Sequence, residues 1–258
     1  MVILKTPLPA QPQEERVAID VSEEEALPIL QKGEIIGGQR IPWGSNYTFL
    51  VHIDAGPGRY LRGIYKPRDG ERPLDDFPAG SLFEREYGAF LLARSLGWPA
   101  IPLTLVRDGP YGTGAMQLYV ESDPNVTYFE LIGERADSLM PFAVFDVVAN
   151  NADRKAGHCL LGKDGTIWSV DHGLTFHWAF KMRTVMLELW GKPIPAWLVG
   201  DLVSLAGRIE SRDGDTAELW EMFSEREMSA LLERIEYLKQ TPVVPQLDPH
   251  RNVPWPFT

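Results

Sequence analysis

The pattern of apolar and polar positions divides the chain into two styles. Tyr47-Thr-Phe-Leu-Val-His-Ile53 is aromatic and β-branched, Ala55-Gly-Pro-Gly58 supplies a turn, and Tyr60-Leu-Arg-Gly-Ile-Tyr-Lys66 runs back. That pattern predicts a β-hairpin. A helix is predicted over 81–96, opened by Ser81 and Glu84 at the S-x-x-E spacing of a capping box. Two short strands are expected near 101–106 and 114–120. The second half changes period, and helices are predicted over 137–150, 180–190, 196–209 and 224–239. The last opens with another S-x-x-E box, Ser224 to Glu227, and places Leu231, Leu232, Ile235 and Leu238 at helical spacing. Between the first two helices of this half lies a second hairpin, with Cys159-Leu-Leu161, a turn at Gly162-Lys-Asp-Gly165 and Thr166-Ile-Trp-Ser-Val170.

Strands first and helices second indicate an α+β protein with a sheet lobe and a helical lobe. A cleft between two such lobes is the expected place for a ligand. The divisions read as an extended arm over 1–22, a β-rich lobe over 23–120, a helical lobe over 121–240 and an extended tail over 241–258. Five prolines, at 242, 245, 249, 254 and 256, keep that tail from being helical, and Trp255 and Phe257 are expected to pin it to the body.

Composition narrows the classes. The 258 residues are 44% hydrophobic and 10% aromatic, enough for a sizeable core. A net charge of −11 argues against a protein whose work is to grip nucleic acid or an anionic bilayer. A single cysteine, Cys159, permits no internal disulfide and fits a reducing compartment. No secretory-type apolar stretch opens the chain, and no uncharged apolar run reaches the roughly 18 to 20 residues of a membrane span. The expectation is a cytoplasmic protein without stable membrane insertion.

Four places could carry chemistry. In Asn150-Asn-Ala-Asp-Arg-Lys-Ala-Gly-His158, a polar loop follows the apolar Phe142, Phe145, Val147 and Val148. Asp153 is placed there to accept a proton, and Arg154 or Lys155 to balance charge on a phosphate; a plain helix-ending turn explains the same residues about equally well. In Val170-Asp-His-Gly-Leu174, Asp171 ends an apolar strand and offers the oxygens a hard divalent cation needs, or simply starts a turn. The hairpin joining these segments lets Asp153 and Asp171 face one point. Lys66 ends a strand, where lysines are commonly solvated. Glu86, however, shares an apolar helix face with Phe83 and Phe90 and needs a cation, whereas Glu84 is already explained by the capping box. Lys66–Glu86 is therefore the better pair. Gly37-Gly38 and Gly44-Ser-Asn46 could cradle phosphate oxygens through backbone amides or could be simple turns.

Loop glycines, a strand lysine, a helix glutamate and two aspartates in this order are the parts that phosphoryl transfer needs. The sequence here resembles the phosphatidylinositol 3-/4-kinase-like family, in particular its small stand-alone bacterial members. The segments that carry the likeness are Tyr65-Lys-Pro-Arg-Asp-Gly-Glu-Arg-Pro73, Glu84-Arg-Glu-Tyr-Gly-Ala-Phe90, Asn150 to His158 and Val170-Asp-His-Gly-Leu-Thr-Phe176. The resemblance implies a two-lobed protein-kinase-like fold with ATP and Mg2+ or Mn2+. It implies that Ser45 and Asn46 lie at the nucleotide, that Lys66 contacts the α/β-phosphates and that Glu86 orients it. Asp153 would be the catalytic aspartate and Asp171 a metal ligand, in Asp-His-Gly where the family has Asp-Phe-Gly. Gln117, Leu118, Tyr119 and Val120 would read the adenine edge through backbone groups. Where the family has a metal-binding asparagine five positions after the catalytic aspartate, this chain has His158, and imidazole suits a softer metal such as manganese.

Three functions follow. The first is an ATP-dependent phosphotransferase acting on an alcohol of a protein, lipid or small molecule. The second is a nucleotide-binding, pseudokinase-like module with little turnover, or one that transfers the nucleotide itself. The third is a metal-dependent hydrolase using His158, His172, His177, Asp153 and Asp171.

Overall fold

A computed structural model of the protein describes residues 16–42 and 46–257. The chain divides into two compact units, with boundaries after Tyr87, Ile101 and Tyr119.

The first unit holds residues up to 87 together with 102–119. Its sheet, six-stranded among the described residues, has the order β2 (Ile35–Ile41), β3 (Thr48–Asp54), β4 (Arg59–Pro67), β6 (Gly112–Leu118), β5 (Thr104–Gly109), and β1 (Val17–Ala18) pairs in parallel with the start of β4. The predicted hairpin is β3 and β4, paired antiparallel with Val51 opposite Gly63. Alternation along it buries Phe49, Val51, Ile53, Leu61 and Tyr65 on one face, against which α1 (Glu23–Lys32) sets Ala26 and Leu30. Alternation also puts Lys66 on the opposite face from its neighbours Tyr65 and Pro67. Gly37 and Gly38 are not in a turn, as the sequence suggested. They lie within β2, opposite His52 and Val51.

Helix α2 (Leu82–Leu96) forms over the predicted range, but the expected capping box does not. The Ser81 hydroxyl donates to the Pro78 carbonyl and accepts from Arg85, while the first-turn amide of Phe83 donates to Glu71 at 2.9 Å. A carboxylate from the preceding loop has taken the place of the local cap.

The second unit holds 88–101 and 120–258. Its axis is α3 (Tyr128–Ala149), longer than predicted because it starts from a capping box of Thr127 and Glu130 and continues through a non-helical residue, Arg135. From Leu139 to Ala149 nearly every side chain is buried. Helices α4 (Ala196–Ser211) and α6 (Glu225–Gln240) lie where the sequence put them, α6 with the Ser224–Glu227 box intact, and α5 (Asp215–Met222) joins them. The second hairpin is β7 (Cys159–Leu161) with β8 (Ile167–Ser169).

Two expectations fail here. No α-helix spans 180–190; a single 3-10 turn, Leu187–Leu189, stands there. The amides that such a helix would use are taken by distant partners: Lys181 by the Asn150 side chain, Arg183 by Asn151, Thr184 by Asn252 and Val185 by Arg154. Nor do Trp255 and Phe257 pin the tail, since they are 83% and 45% exposed. Backbone hydrogen bonds and the buried Val244 and Pro254 hold it instead. No helix among the described residues is long and apolar enough to cross a membrane.

Gly88 is a close-packed position in the second unit. A Cβ there would lie 2.7 Å from the Phe223 ring, itself stacked on Phe176 at 4.3 Å. Gly88→Ala is therefore expected to lower stability by about 1–3 kcal/mol through overpacking. Urea unfolding measures it, and an unchanged midpoint would rule this packing out.

Candidate active site

The residues singled out in the sequence fall into two groups, one in each unit. In the first, the Lys66 ammonium donates to the Glu86 carboxylate. The Glu86 side chain is 4% exposed and that of Lys66 20%, so the pair is largely shielded from water. Strand alternation delivers the lysine, and the first turn and a half of α2, capped by Glu71, delivers the glutamate. Burial raises the Glu71 carboxyl, and its amide hydrogen bonds partly offset that rise.

Asn46 accepts from the Arg72 amide at 2.8 Å and so braces the loop after β4. Ser45 lies outside the described residues. At the end of β6, Gln117 donates to Thr104 at 2.8 Å. The amides of Leu118 and Tyr119 donate to Leu103 and Arg62, so those two N–H groups already have backbone partners. Val120 belongs to the second unit.

In the second unit the organising group is Arg154. Its guanidinium makes a bidentate pair with Asp146 of α3, both hydrogen bonds at 2.8 Å and both side chains fully buried. It also donates to the carbonyls of His158 and Val170 at 3.3 Å and to His172 Nε2 at 3.0 Å. A guanidinium only donates, so that imidazole nitrogen is the acceptor. One buried cation thus ties the end of α3, the loop that carries Asp153 and His158, and the residue before Asp171. Arg154 does not balance phosphate charge, as one sequence reading had it; it is inside.

The paired asparagines complete the frame. Asn150, in the left-handed region at φ +54°, ends α3, donates to the carbonyls of His177 and Ala179, and accepts from the Lys181 amide. Asn151 donates to Asp146 and accepts from the amide of Asp153 at 3.0 Å.

This frame gathers three candidates. His158 Nε2 lies 3.3 Å from an oxygen of Asp171. Asp171 has φ +62°, a left-handed conformation that is strained for a residue with a Cβ and that clusters at functional sites. Asp153 lies 3.3 Å from the Lys155 ammonium. Burial pushes its carboxyl up to about 6, against the pull of Lys155 and with a further push from Asp171. The backbone segments that carry the carboxylate, the imidazole and the raised carboxyl are tied by hydrogen bonds to Arg154 and Asn151. The donor set is one carboxylate and one imidazole, and among the described residues no group of three or more His, Cys, Asp and Glu could hold a metal. Such a set fits a divalent cation that draws its other ligands from phosphate oxygens, not an all-protein cage.

The two other histidines named for a hydrolase centre serve the frame itself. His172 is buried between Arg154 and Ser169, and His177 accepts from the Ala179 amide. The five residues proposed for a hydrolase centre therefore do not assemble into one. Burial pushes the Cys159 thiol up to about 12, which makes it an inert core residue.

No family model matches the sequence. Protein Rv2133c of Mycobacterium tuberculosis is 39% identical over 264 aligned residues, which cover 88% of this chain and 94% of that one. The chain belongs to the Rv2133c family. This family member is also similar in structure to a Golgi casein kinase with Mn/ADP bound, with TM-score 0.58 and 14% identity over 84% of this chain and 74% of that one. The same kinase in another crystal structure gives 0.57 and 13%, over 86% and 75%. A hydra Fam20 determined with sugar gives 0.52 and 13%, over 88% and 90%. At these identities the likeness is one of fold: the Rv2133c-family chain has an α+β, kinase-like fold.

Two predictions follow from the geometry. Asp146→Asn leaves the Arg154 charge buried with its partner neutralised, and should cost about 3–5 kcal/mol in chemical denaturation. Asp153 acts in the other direction. Its folded value of about 6 lies above the usual 3.8, so the stability it contributes is full below pH 3.8 and is lost as pH rises through 6. Asp153→Asn should therefore stabilise the metal-free protein at pH 8, by on the order of 2 kcal/mol, and by far less at pH 4. Thermal melts at the two pH values check this; a variant destabilised at both would contradict it.

Proposed function

We propose that the chain is an ATP- and divalent-metal-dependent phosphotransferase of the phosphatidylinositol 3-/4-kinase-like kind, moving the γ-phosphate to an alcohol acceptor. The observation that carries the reading is the grouping of Asp153, His158 and Asp171 on one frame, with a carboxyl raised to about 6 beside a strained metal-type aspartate. The Lys66–Glu86 pair and the kinase-like fold support it from the other unit. A relative in fold that is described with Mn/ADP bound supports the nucleotide and the cation.

In this reading Lys66 holds the α/β-phosphates as a fixed positive charge, and Glu86 keeps its ammonium from swinging into solvent. Asp153 accepts the hydrogen bond of the acceptor hydroxyl and takes its proton as that oxygen bonds to the γ-phosphorus. The bond from the γ-phosphorus to the β–γ bridging oxygen breaks meanwhile, and ADP leaves with its electron pair. In the metal-free protein burial raises the Asp153 carboxyl, which gives it more proton affinity than an exposed carboxylate has. Asp171 and His158 would hold Mg2+ or Mn2+, which supplies charge neutralisation at the β/γ-phosphate oxygens.

A second reading, nucleotide binding with little turnover, is favoured by one feature: an imidazole at 158 where the resembled family has asparagine. The two separate by experiment. With ATP and Mn2+ or Mg2+, wild type should release or transfer phosphate, and Asp153→Ala and Asp171→Ala should each fall by about 100-fold or more. Equal residual turnover in all three would end the phosphotransferase reading. Stabilisation by ATP and metal without turnover would favour the second. Phosphate transfer, not nucleotide transfer, is expected to account for mass gained by an acceptor. His158→Asn should raise turnover with Mg2+ relative to Mn2+, as an oxygen donor replaces nitrogen.

A further inference from the structure

The extended segment over 242–257 makes contacts that packing alone does not explain. Its first part runs beside 191–194: the Ile194 amide donates to Pro242, Gly191 to Val244, and Val244 to Lys192. A tight turn follows, in which the amides of Arg251 and Asn252 donate to the Asp248 carbonyl. That turn aims Asn252 at the segment beside the catalytic loop. Its side chain donates to the Met182 carbonyl at 2.7 Å, and its own carbonyl accepts from Thr184 at 2.9 Å. Thr184 is paired with Arg154. Finally the Phe257 carbonyl accepts from the Ala156 amide at 2.9 Å.

Ala156 stands three residues after Asp153 and two before His158. The neighbouring loop amides are held from within the body, Ala152 by Leu174 and Arg154 by Arg183. The Ala156 amide is held by Phe257. Because Trp255 and Phe257 point largely to water, the end of the segment is fixed by hydrogen bonds and the buried Pro254, not by its aromatic rings.

We propose that residues 242–257 are a strap that positions the 153–158 loop, with the Phe257 carbonyl as the clasp on Ala156 and Asn252 as its guide. Phe257 and Asn252 are positioning residues: they act through the loop on Asp153 and His158 and touch no reacting atom. The holding of the loop stands on geometry alone; its effect on turnover rests on the phosphotransferase reading.

The test compares the full chain, a chain ending at Pro254, and Asn252→Ala, with Trp255→Ala as control. Amide hydrogen exchange is followed in the metal-free protein, and turnover with ATP and Mn2+ in parallel. Ending the chain at Pro254 should speed exchange over 153–158 by about tenfold or more while α6 stays within about twofold. Asn252→Ala should do the same for 182–185. With the shorter chain kcat per folded molecule should fall by about tenfold at nearly unchanged KM for ATP. A general loss of folded protein would lower apparent kcat in the same way, and the steady exchange of α6 is what excludes it. Trp255→Ala should leave both readouts unchanged. Unchanged exchange over 153–158 in the shorter chain would overturn the strap, as would a loss in Trp255→Ala equal to that of the shorter chain. Absent turnover in the full chain would instead sink the phosphotransferase reading, and the exchange data would still decide the strap.

Discussion

The buried pair of Arg154 and Asp146 is the constraint on which the second unit turns. Two full charges out of water are costly unless each finds partners in good geometry, and here the guanidinium finds a bidentate carboxylate, two carbonyls and an imidazole nitrogen. Satisfying that one group dictates where α3 ends, where the Asp153 loop turns and where the strand before Asp171 stops. A well-packed apolar replacement could be as stable, but it would not fix the positions of three separate backbone segments. The pair therefore acts less as a source of stability than as a template, and Asp153, His158 and Asp171 inherit their placement from it.

That frame also accounts for the division of labour along Asn150-Asn-Ala-Asp-Arg-Lys-Ala-Gly-His158. Three of its polar side chains are buried and three are not. Asn150, Asn151 and Arg154 face inward and are hydrogen-bonded to the body, whereas Asp153, Lys155 and His158 keep access to solvent. A half-buried carboxyl with its ionisation pushed up is costly for folding, and the inward-facing neighbours offset the cost. The Asp153 carboxyl is thereby held against its own preference, as its proposed role of base requires.

Much of the scaffold was legible because it rests on local signals. The β3–β4 hairpin follows from period-two alternation with a Gly-Pro-Gly turn, and α6 from its capping box and apolar spacing. Glu86 was recognisable as a carboxylate on an apolar helix face, and its partner is Lys66 as that argument required. The same argument applies to Asp146, the one ionisable residue in the apolar run from Phe142 to Ala149. Read that way, it calls for a buried cation, and Arg154 is eight residues on. The failures were tertiary. The stretch over 180–190 has helical composition, but its amides are claimed by Asn150, Asn151, Arg154 and Asn252. The cap of α2 comes from Glu71, outside any local spacing rule. Of the site itself, the short hairpin suggested that Asp153 and Asp171 face one point, whereas the close contact that Asp171 makes is with His158, at 3.3 Å. The raised carboxyl of Asp153 depends on burial that no sequence pattern displays.

The central claim is that His158 and Asp171, brought together in the second unit, serve one nucleotide–cation complex. A double-mutant cycle on the dissociation constant for a non-hydrolysable ATP analogue with Mn2+ tests it most directly. His158→Ala, Asp171→Ala and the double variant are compared with wild type. The account predicts strong coupling, with the double variant losing little more than the weaker-binding single variant, and an interaction energy of about 1 kcal/mol or more. Losses that simply add, or binding that neither substitution alters, would contradict it.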